Sequence, residues 1–163
     1  MSVTFRDATE ADATLIDQMT LENETYICSL DGSALAAEDR KPWGEIFLRE
    51  AFGETPCFSC RIAERDGAAV GYYNYHFGYD ADHALRTLFL PDVYVRAGAR
   101  RQGVGRALMA DAAKQARVGK AGMIRWSVWC KNPRAIAFYE AIGATVYREE
   151  FPTYWPEARW PVD

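Results

Sequence analysis

The stretch RRQGVGRAL, from Arg100 to Leu108, decides the fold because it places two glycines and three arginines where a helix begins. Apolar residues recur every fourth position beyond it, which predicts a helix from Gly103 to Gly119. The first backbone N–H groups of a helix lack intrahelical partners and lie at the positive end of its dipole. Glycines let an anion approach these groups, and arginines add charge-assisted hydrogen bonds. The stretch therefore predicts an anion site, and a diphosphate is the commonest biological anion that fits.

Two phosphate-binding motifs do not match this stretch. A Walker A loop would continue with Gly-Lys-Ser/Thr, and a dinucleotide-binding turn would have a third glycine where Leu108 stands. The strands predicted before it form an antiparallel meander, unlike the first unit of a dinucleotide-binding fold. A glycine-rich helix start that binds no ligand remains the alternative.

The strand before the stretch, predicted from Thr87 to Val95, contains Pro91 in the sequence LFLPDVYV. Proline cannot donate to a strand ladder, so this strand should bulge or lose a neighbour there. The unpaired backbone groups would then lie beside the anion site. An extended ligand with amide groups could pair with them as a surrogate strand, and pantetheine, whose nucleotide end carries a diphosphate, is such a ligand.

The whole pattern predicts one α/β domain over residues 1–163, with a mixed central sheet, a splayed strand pair and flanking helices. The sequence Asp66-Gly67 predicts a tight hairpin. The predicted strands are Val3–Arg6, Cys57–Glu64, Ala68–Tyr79, Thr87–Val95, Met123–Cys130, Thr145–Glu150 and Tyr154–Trp160. The predicted helices run from Thr9 to about Tyr26, from Ser33 to about Phe52 with an interruption near Pro42, from Gly103 to Gly119 and from Asn132 to Ile142.

Composition favours a soluble globular protein, since 49% of the residues are hydrophobic and 26% are charged. The N-terminal sequence does not resemble a signal peptide, and no apolar run reaches the length of a membrane span, so we expect a cytoplasmic protein with no membrane partner. Aromatic residues reach 13%, which indicates a large aromatic pocket or a subunit contact.

Charge is unevenly distributed along the chain. The net charge is -4, yet residues 95–120 contain seven Lys or Arg against one acid, Asp111. The acidic remainder would attract a cationic second partner. Because the basic segment is short, the isoelectric point is about 5.3 and no base-reading motif occurs, we expect no nucleic-acid partner.

Cys57 and Cys60 have the C-x-x-C spacing of redox centres and half zinc sites. The surrounding sequence predicts a strand, which would point the two thiols to opposite faces. We therefore expect no metal and interpret the cysteines as small buried hydrophobic residues.

Three segments together resemble the GNAT acetyltransferase superfamily: Val93-Tyr94-Val95, Arg100-x-x-Gly103-x-Gly105, and the helix Asn132-Pro-Arg-Ala-Ile-Ala-Phe-Tyr-Glu-Ala-Ile-Gly-Ala. The sequences GYYNYHFGYD (71–80) and RWSVWCKNPRAIAFYEAIGA (125–144) are similar to the diamine, spermidine/spermine-type branch. The resemblance implies acetyl-CoA as the acyl donor and an amine as the acceptor.

The resemblance also implies a set of site residues. The pantetheine and diphosphate of acetyl-CoA would lie along Val93, Tyr94, Val95, Arg100, Arg101, Gln102, Gly103, Val104, Gly105, Arg106, Asn132, Ala135 and Phe138. Tyr139 would lie near the thioester sulfur and protonate the leaving thiolate. A core aromatic role is the alternative for Tyr139, and helix capping alone explains Asn132.

The general base is less clearly indicated. Diamine-type members have Leu-Glu-Asp before the loop, whereas this chain has Leu90-Pro91-Asp92. Asp92 is the first candidate for the base, and Glu149 and Glu150 are weaker candidates. The alternative for Asp92 is a structural role as a bulge residue whose side chain bonds its own backbone.

The sequence thus predicts an N-acetyltransferase that acts on a small cationic amine by direct transfer within a ternary complex. A catalytically silent acyl-CoA-binding sensor with the same fold is the alternative. The aromatic content and the tail Tyr154–Pro161 predict a homodimer in which the tail helps to wall the acceptor site, unless the tail packs on its own core.

Overall fold

The structure is a computed structural model that describes residues 2–145. The chain divides into two compact units, with the boundary between Asn132 and Pro133. The strands of the first unit are β1 (Thr4–Asp7), β2 (Ser59–Arg65), β3 (Ala68–Asp80), β4 (Leu85–Val95) and β5 (Met123–Trp126). Its helices are α1 (Ala13–Ser29), α2 (Trp43–Phe52) and α3 (Val104–Val118). The second unit contains α4 (Pro133–Ala141).

The five strands form one sheet in the order β1-β2-β3-β4-β5. The first four strands are antiparallel neighbours, and β5 runs parallel to β4. The predicted α/β class with a mixed sheet is therefore confirmed. The hairpin between β2 and β3 is also confirmed, because Asp66 (φ 53°) and Gly67 (φ 76°) both adopt the positive φ that a two-residue hairpin turn requires.

Pro91 has both of the effects expected of a proline within a strand. Asn74 pairs with Asp92 while His76 pairs with Phe89, so β4 contains one extra residue opposite β3 at the position of Leu90 and Pro91. The pairing of β4 with β5 also stops at Leu90. Among residues 2–145, the part of β4 after Pro91 therefore has no strand neighbour on the β5 side, and β4 and β5 are the predicted splayed pair.

The helices cover both faces of the sheet. Successive residues of a strand point to opposite faces of the sheet. The Tyr72 hydroxyl bonds Thr20 of α1, whereas the hydroxyl of its neighbour Tyr73 donates to Asp111 of α3 (2.8 Å). Helix α1 therefore covers one face and α3 the other. The face beneath α1 and α2 contains a core cluster of buried residues that includes Ile16, Met19, Phe47, Ile62, Tyr72 and Tyr94. On the face beneath α3, Arg61 forms an ion pair with Asp111 (3.0 Å).

Several predicted boundaries were wrong. The helix expected from Ser33 is only a short 3-10 turn (Ala37–Asp39), and the α-helix starts at Trp43, directly after Pro42. The strand expected to reach Cys130 ends at Trp126, because β5 follows β4 only as far as the bulge. The first helix extends to Ser29, one turn beyond its predicted end. Some predictions concern residues 146–163, which lie outside the described residues. They are the last two predicted strands (except Thr145, the first residue of one of them), the tail, and the weaker base candidates Glu149 and Glu150.

The four cysteines are free thiols with different environments. Cys60 is buried in the core as expected, but Cys57 and Cys130 are exposed, so the interpretation as buried residues was wrong for these two. Cys57 lies before β2 rather than within it. Within residues 2–145, no group of three or more His, Cys, Asp or Glu side chains is arranged to hold a metal ion. No helix in the same residues is both long and apolar enough to cross a bilayer.

Candidate active site

The part of β4 beyond Pro91 presents main-chain groups on the side that β5 leaves uncovered. The Arg96 N–H donates to the Val70 carbonyl (3.0 Å), and Gly71 is the register partner of Val95. In an antiparallel ladder this makes Gly71 and Val95 a non-hydrogen-bonded pair, so Val95 directs its own N–H and C=O away from β3. Val93, two residues earlier, has the same orientation. We call these main-chain groups of Val93 and Val95 the open edge.

The loop after the open edge turns sharply into α3. Arg101 (φ 61°) and Gly103 (φ 84°) both adopt left-handed backbone conformations, and Gly103 is the N-cap residue of α3. The Ala107 N–H makes the first hydrogen bond of the helix, to the Gly103 carbonyl (3.0 Å). The preceding amides, including those of Val104 and Gly105, have no intrahelical acceptor and lie at the positive end of the helix dipole. This geometry fits a phosphate group.

Two polar side chains hold this loop in place. The Gln102 Nε2 donates to the Gly98 carbonyl (2.7 Å), and the Arg100 Nε donates to the Val95 carbonyl (3.0 Å). The Arg100 guanidinium also lies 4.0 Å from the ring centroid of Tyr26, a cation–π contact. Arg100 therefore stabilises the loop, whereas Arg101 and Arg106 are exposed at the start of α3.

Asp92 lies on the helix α1 side of the open edge and has partners on two other elements. Its Oδ1 accepts a hydrogen bond from Asn23 Nδ2 of α1 (2.9 Å), and its Oδ2 accepts one from the Tyr72 hydroxyl of β3. The Tyr72 hydroxyl also bonds Thr20 Oγ1 (3.0 Å). The carboxylate is therefore tied to the core beneath α1 rather than only to its own bulge.

Burial raises the pKa of Asp92 above the ordinary carboxyl value, because the charged form loses hydration. Hydrogen bonds from Tyr72, the Val93 N–H and Asn23 oppose this rise, and the negative charge of Glu24 adds to it. A carboxylate with a raised pKa is a better proton acceptor near neutral pH than an ordinary one.

Helix α1 supplies two further acidic residues beside the open edge. Glu22 accepts a hydrogen bond from the Tyr94 hydroxyl (3.1 Å) and pairs with Arg96 (3.2 Å). Glu24 accepts a hydrogen bond from the Trp43 indole N–H (2.6 Å). Because Arg96 offsets the charge of Glu22, Glu24 is the residue of these two that adds negative charge near Asp92, which favours a cationic molecule.

Asn132 is buried at the end of the first unit. Its Oδ1 accepts a hydrogen bond from the Tyr26 hydroxyl (3.4 Å), and the ring of Tyr26 also carries the Arg100 guanidinium. Tyr26 thus links the predicted residue Asn132 to the anion loop.

The second unit carries three of the predicted residues on one short helix. Ala135, Phe138 and Tyr139 lie at i, i+3 and i+4 positions of α4, which is the spacing of neighbours on a helix surface. The rings of Phe138 and Tyr139 are 5.1 Å apart. Gly143, two residues after the helix ends at Ala141, has the left-handed φ (89°) that is common just beyond a helix C-terminus.

The family model for the Acetyltransferase (GNAT) family matches residues 19–144. The chain belongs to this family. The match includes α1 from Met19 onward, the open edge, the anion loop and α4, so every predicted site residue except the weaker base candidates Glu149 and Glu150 lies within it.

Known proteins resemble this GNAT chain along most of its length. Thialysine N-epsilon-acetyltransferase from Bos taurus is 30% identical over 150 residues, which cover 87% of this chain and 84% of that protein. Spermidine/spermine N(1)-acetyltransferase-like protein 1 from Homo sapiens is 29% identical over 122 residues, which cover 71% of this chain and 16% of that protein. An integron cassette protein from V. cholerae has the same fold, with a TM-score of 0.76, 21% identity and coverage of 96% of this chain and 93% of that one.

The geometry of this GNAT acetyltransferase brings together some predicted residues and adds others. The open edge, Asp92, the anion loop and Asn132 all occur in the first unit. The residues that sequence reasoning missed are on α1: Glu22, Asn23, Glu24 and Tyr26. The only signal for them in the sequence was the polar run ENE (22–24) within a predicted helix.

Proposed function

We propose that the protein transfers the acetyl group of acetyl-CoA to a primary amine of a small cationic acceptor, by direct transfer in a ternary complex. The observation that carries this proposal is Asp92, a buried carboxylate with a raised pKa beside the open edge of β4. Two of the related proteins are named for acetylation of thialysine and of spermidine/spermine, which supports an amine acceptor.

GNAT acetyltransferases use acetyl-CoA as their cosubstrate, and the residues of this chain fit it. Its thioester supplies an acetyl group that an amine can displace from sulfur. In our proposal the Val93 C=O and the Val95 N–H of the open edge pair with the amide groups of the pantetheine arm, since the Val93 N–H bonds Asp92 and the Val95 C=O bonds Arg100. The free amides at the start of α3 bind the diphosphate, and Arg101 and Arg106 add positive charge. Asn132, Ala135 and Phe138 contact the pantetheine arm.

Asp92 acts as the general base in this proposal. An alkylamine has a pKa of about 10 and is protonated at neutral pH, so its nitrogen must lose a proton before it can attack. Asp92 takes this proton, directly or through one water, and passes it to solvent. Glu24 helps by attracting the cationic acceptor to the α1 side of β4.

Tyr139 acts as the general acid. As the nitrogen–carbon bond forms and the carbon–sulfur bond breaks, the Tyr139 phenol gives its proton to the sulfur. It recovers a proton from the newly acetylated nitrogen, so the products are an amide and a neutral thiol.

We further propose that residues 1–163 form one N-acetyltransferase domain that works in the cytoplasm as a homodimer. The aromatic content of 13% supports a subunit contact. Analytical ultracentrifugation of the purified chain tests the dimer, and a single monomeric species at micromolar concentration would refute it.

A thiol-release assay tests the function directly. The purified protein is given acetyl-CoA with lysine, thialysine, ornithine, spermidine, an aminoglycoside and an amine-bearing peptide, each in turn. We expect thiol release with at least one small amine and mass-spectrometric detection of the acetylated product. Binding of acetyl-CoA with no turnover of any amine would instead identify an acyl-CoA sensor and refute the proposal.

A further inference from the structure

Asn74 is the cross-strand neighbour of Asp92. The two residues are register partners at the last pair before the bulge of β4, so their side chains lie on the same face of the sheet. On the other side of β3, Asn74 pairs with Cys60 of β2. Asn74 is thus an amide between a buried thiol and a buried carboxylate.

The side-chain oxygen of Asn74 is buried, and among the described residues it accepts no hydrogen bond. Buried polar atoms in folded proteins nearly always have a partner, because leaving one without a partner is destabilising. A leucine of similar volume would fill this position without that penalty. The oxygen is therefore unfavourable for folding unless a bound molecule supplies a donor.

The surroundings of Asn74 indicate the chemistry of that donor. Asp92 accepts hydrogen bonds from Asn23, Tyr72 and the Val93 N–H, and a carboxylate has room for about one more. The negative charge of Glu24 also acts on Asp92. The side-chain oxygens of Asn74 and Asp92 therefore offer acceptors beside a further negative charge. An ammonium group, which has only donors, is the complement of such a pair.

We propose that Asn74 binds the nitrogen of the acceptor amine through its side-chain oxygen. This inference rests on the proposed function and adds a residue that determines acceptor affinity. Asn74 is partly exposed, so rotation about χ2 lets its carboxamide reach a bound molecule. One N–H of the amine then donates to the Asn74 oxygen, and a second N–H faces Asp92. This orientation directs the nitrogen lone pair away from the two side chains.

Two variants of equal size test the inference. N74L removes the acceptor, and N74D keeps an oxygen in the same place. In the thiol-release assay, we expect N74L to raise the KM for thialysine, or for the panel amine that wild type uses best, by about tenfold or more. The KM for acetyl-CoA should stay unchanged, and N74D should keep an acceptor KM near that of wild type.

Thermal unfolding separates a binding role from a structural one. Since the Asn74 oxygen has no hydrogen-bond partner among residues 2–145, the Tm of N74L should equal or exceed that of wild type. A lower Tm, failure of N74L to fold or an unchanged acceptor KM would overturn the inference.

Failure of the proposed function gives a different result. If wild type turns over no amine, calorimetry with thialysine decides the role of Asn74. Binding by wild type that is lost in N74L supports the inference without turnover, and absence of binding by wild type overturns it.

Discussion

Gly103→Ala tests the anion site with a magnitude that follows from the backbone. The φ of Gly103 is +84°, and a left-handed conformation costs an L-residue about 1–2 kcal/mol. A Cβ at this position would meet no heavy atom within 4 Å, so the cost is conformational rather than steric. We expect the free energy of unfolding to fall by about 1 kcal/mol, which lowers the Tm by about 2–4 °C for a chain of this size.

The effect on acetyl-CoA binding should be larger than the effect on stability. In our proposal the diphosphate approaches the amides of Val104 and Gly105 next to Gly103, and an added methyl group would hold it away. A charge-assisted hydrogen bond contributes about 1.5–3 kcal/mol, so the loss of one raises the Kd for acetyl-CoA roughly tenfold or more. Isothermal titration calorimetry measures this Kd.

Gly67→Ala is the matched control. Gly67 also has a left-handed φ, +76°, and a Cβ there also meets no heavy atom within 4 Å, but it lies in the β2–β3 hairpin. Both variants should lose the same stability, and only Gly103→Ala should lose affinity. If the two variants bind acetyl-CoA equally well, the assignment of the anion site is refuted.

Four further substitutions test individual side chains. Asp92→Asn should lower kcat by about 10²- to 10⁴-fold and leave the KM for acetyl-CoA unchanged, and near-normal kcat in steady-state assays would exclude Asp92 as the base. Tyr72→Phe removes a hydrogen-bond donor that stabilises ionised Asp92, so the pKa of Asp92 should rise further. The acid limb of the kcat/KM profile should therefore move to higher pH, and a shift to lower pH would contradict this. Arg100→Ala removes the contact with Tyr26 and should lower the free energy of unfolding by roughly 1–3 kcal/mol in denaturant titrations, whereas unchanged stability would show that this contact does not hold the loop. Tyr139→Phe should lower kcat by about 100-fold with little change in the Kd for acetyl-CoA, and wild-type turnover would remove its role as the acid.

Local chemistry was enough to predict much of the fold. Pro91 lacks an N–H, and Asp66-Gly67 favours positive φ, so the bulge and the hairpin follow from residue types alone. The end of β5 at Trp126 could not be predicted in this way, because it depends on where β4 stops offering a partner. The 3-10 turn after Ser33 could not be predicted either, because a capping residue does not ensure that an α-helix follows.

In the candidate site, too, features that are local in sequence were predicted and contacts between distant residues were not. The anion loop and Asp92 were predicted, because glycines, arginines and a carboxylate after a strand-breaking proline are adjacent in sequence. The partners on α1 were missed, because Asn23 is 69 positions from Asp92 and Tyr26 is 106 positions from Asn132. Only the packing of α1 on the sheet brings such residues together.

The bulge in β4 decides which side of the sheet receives the carboxylate. Phe89 and Asp92 are three positions apart, an odd number, yet both share a face with His76 and Asn74. In a regular strand, odd spacing would send them to opposite sides. If the same residues of β4 paired with β3 without a bulge from Phe89 onward, Asp92 would lie opposite Tyr73 and face α3. The bulge is therefore as necessary for the chemistry as the aspartate itself.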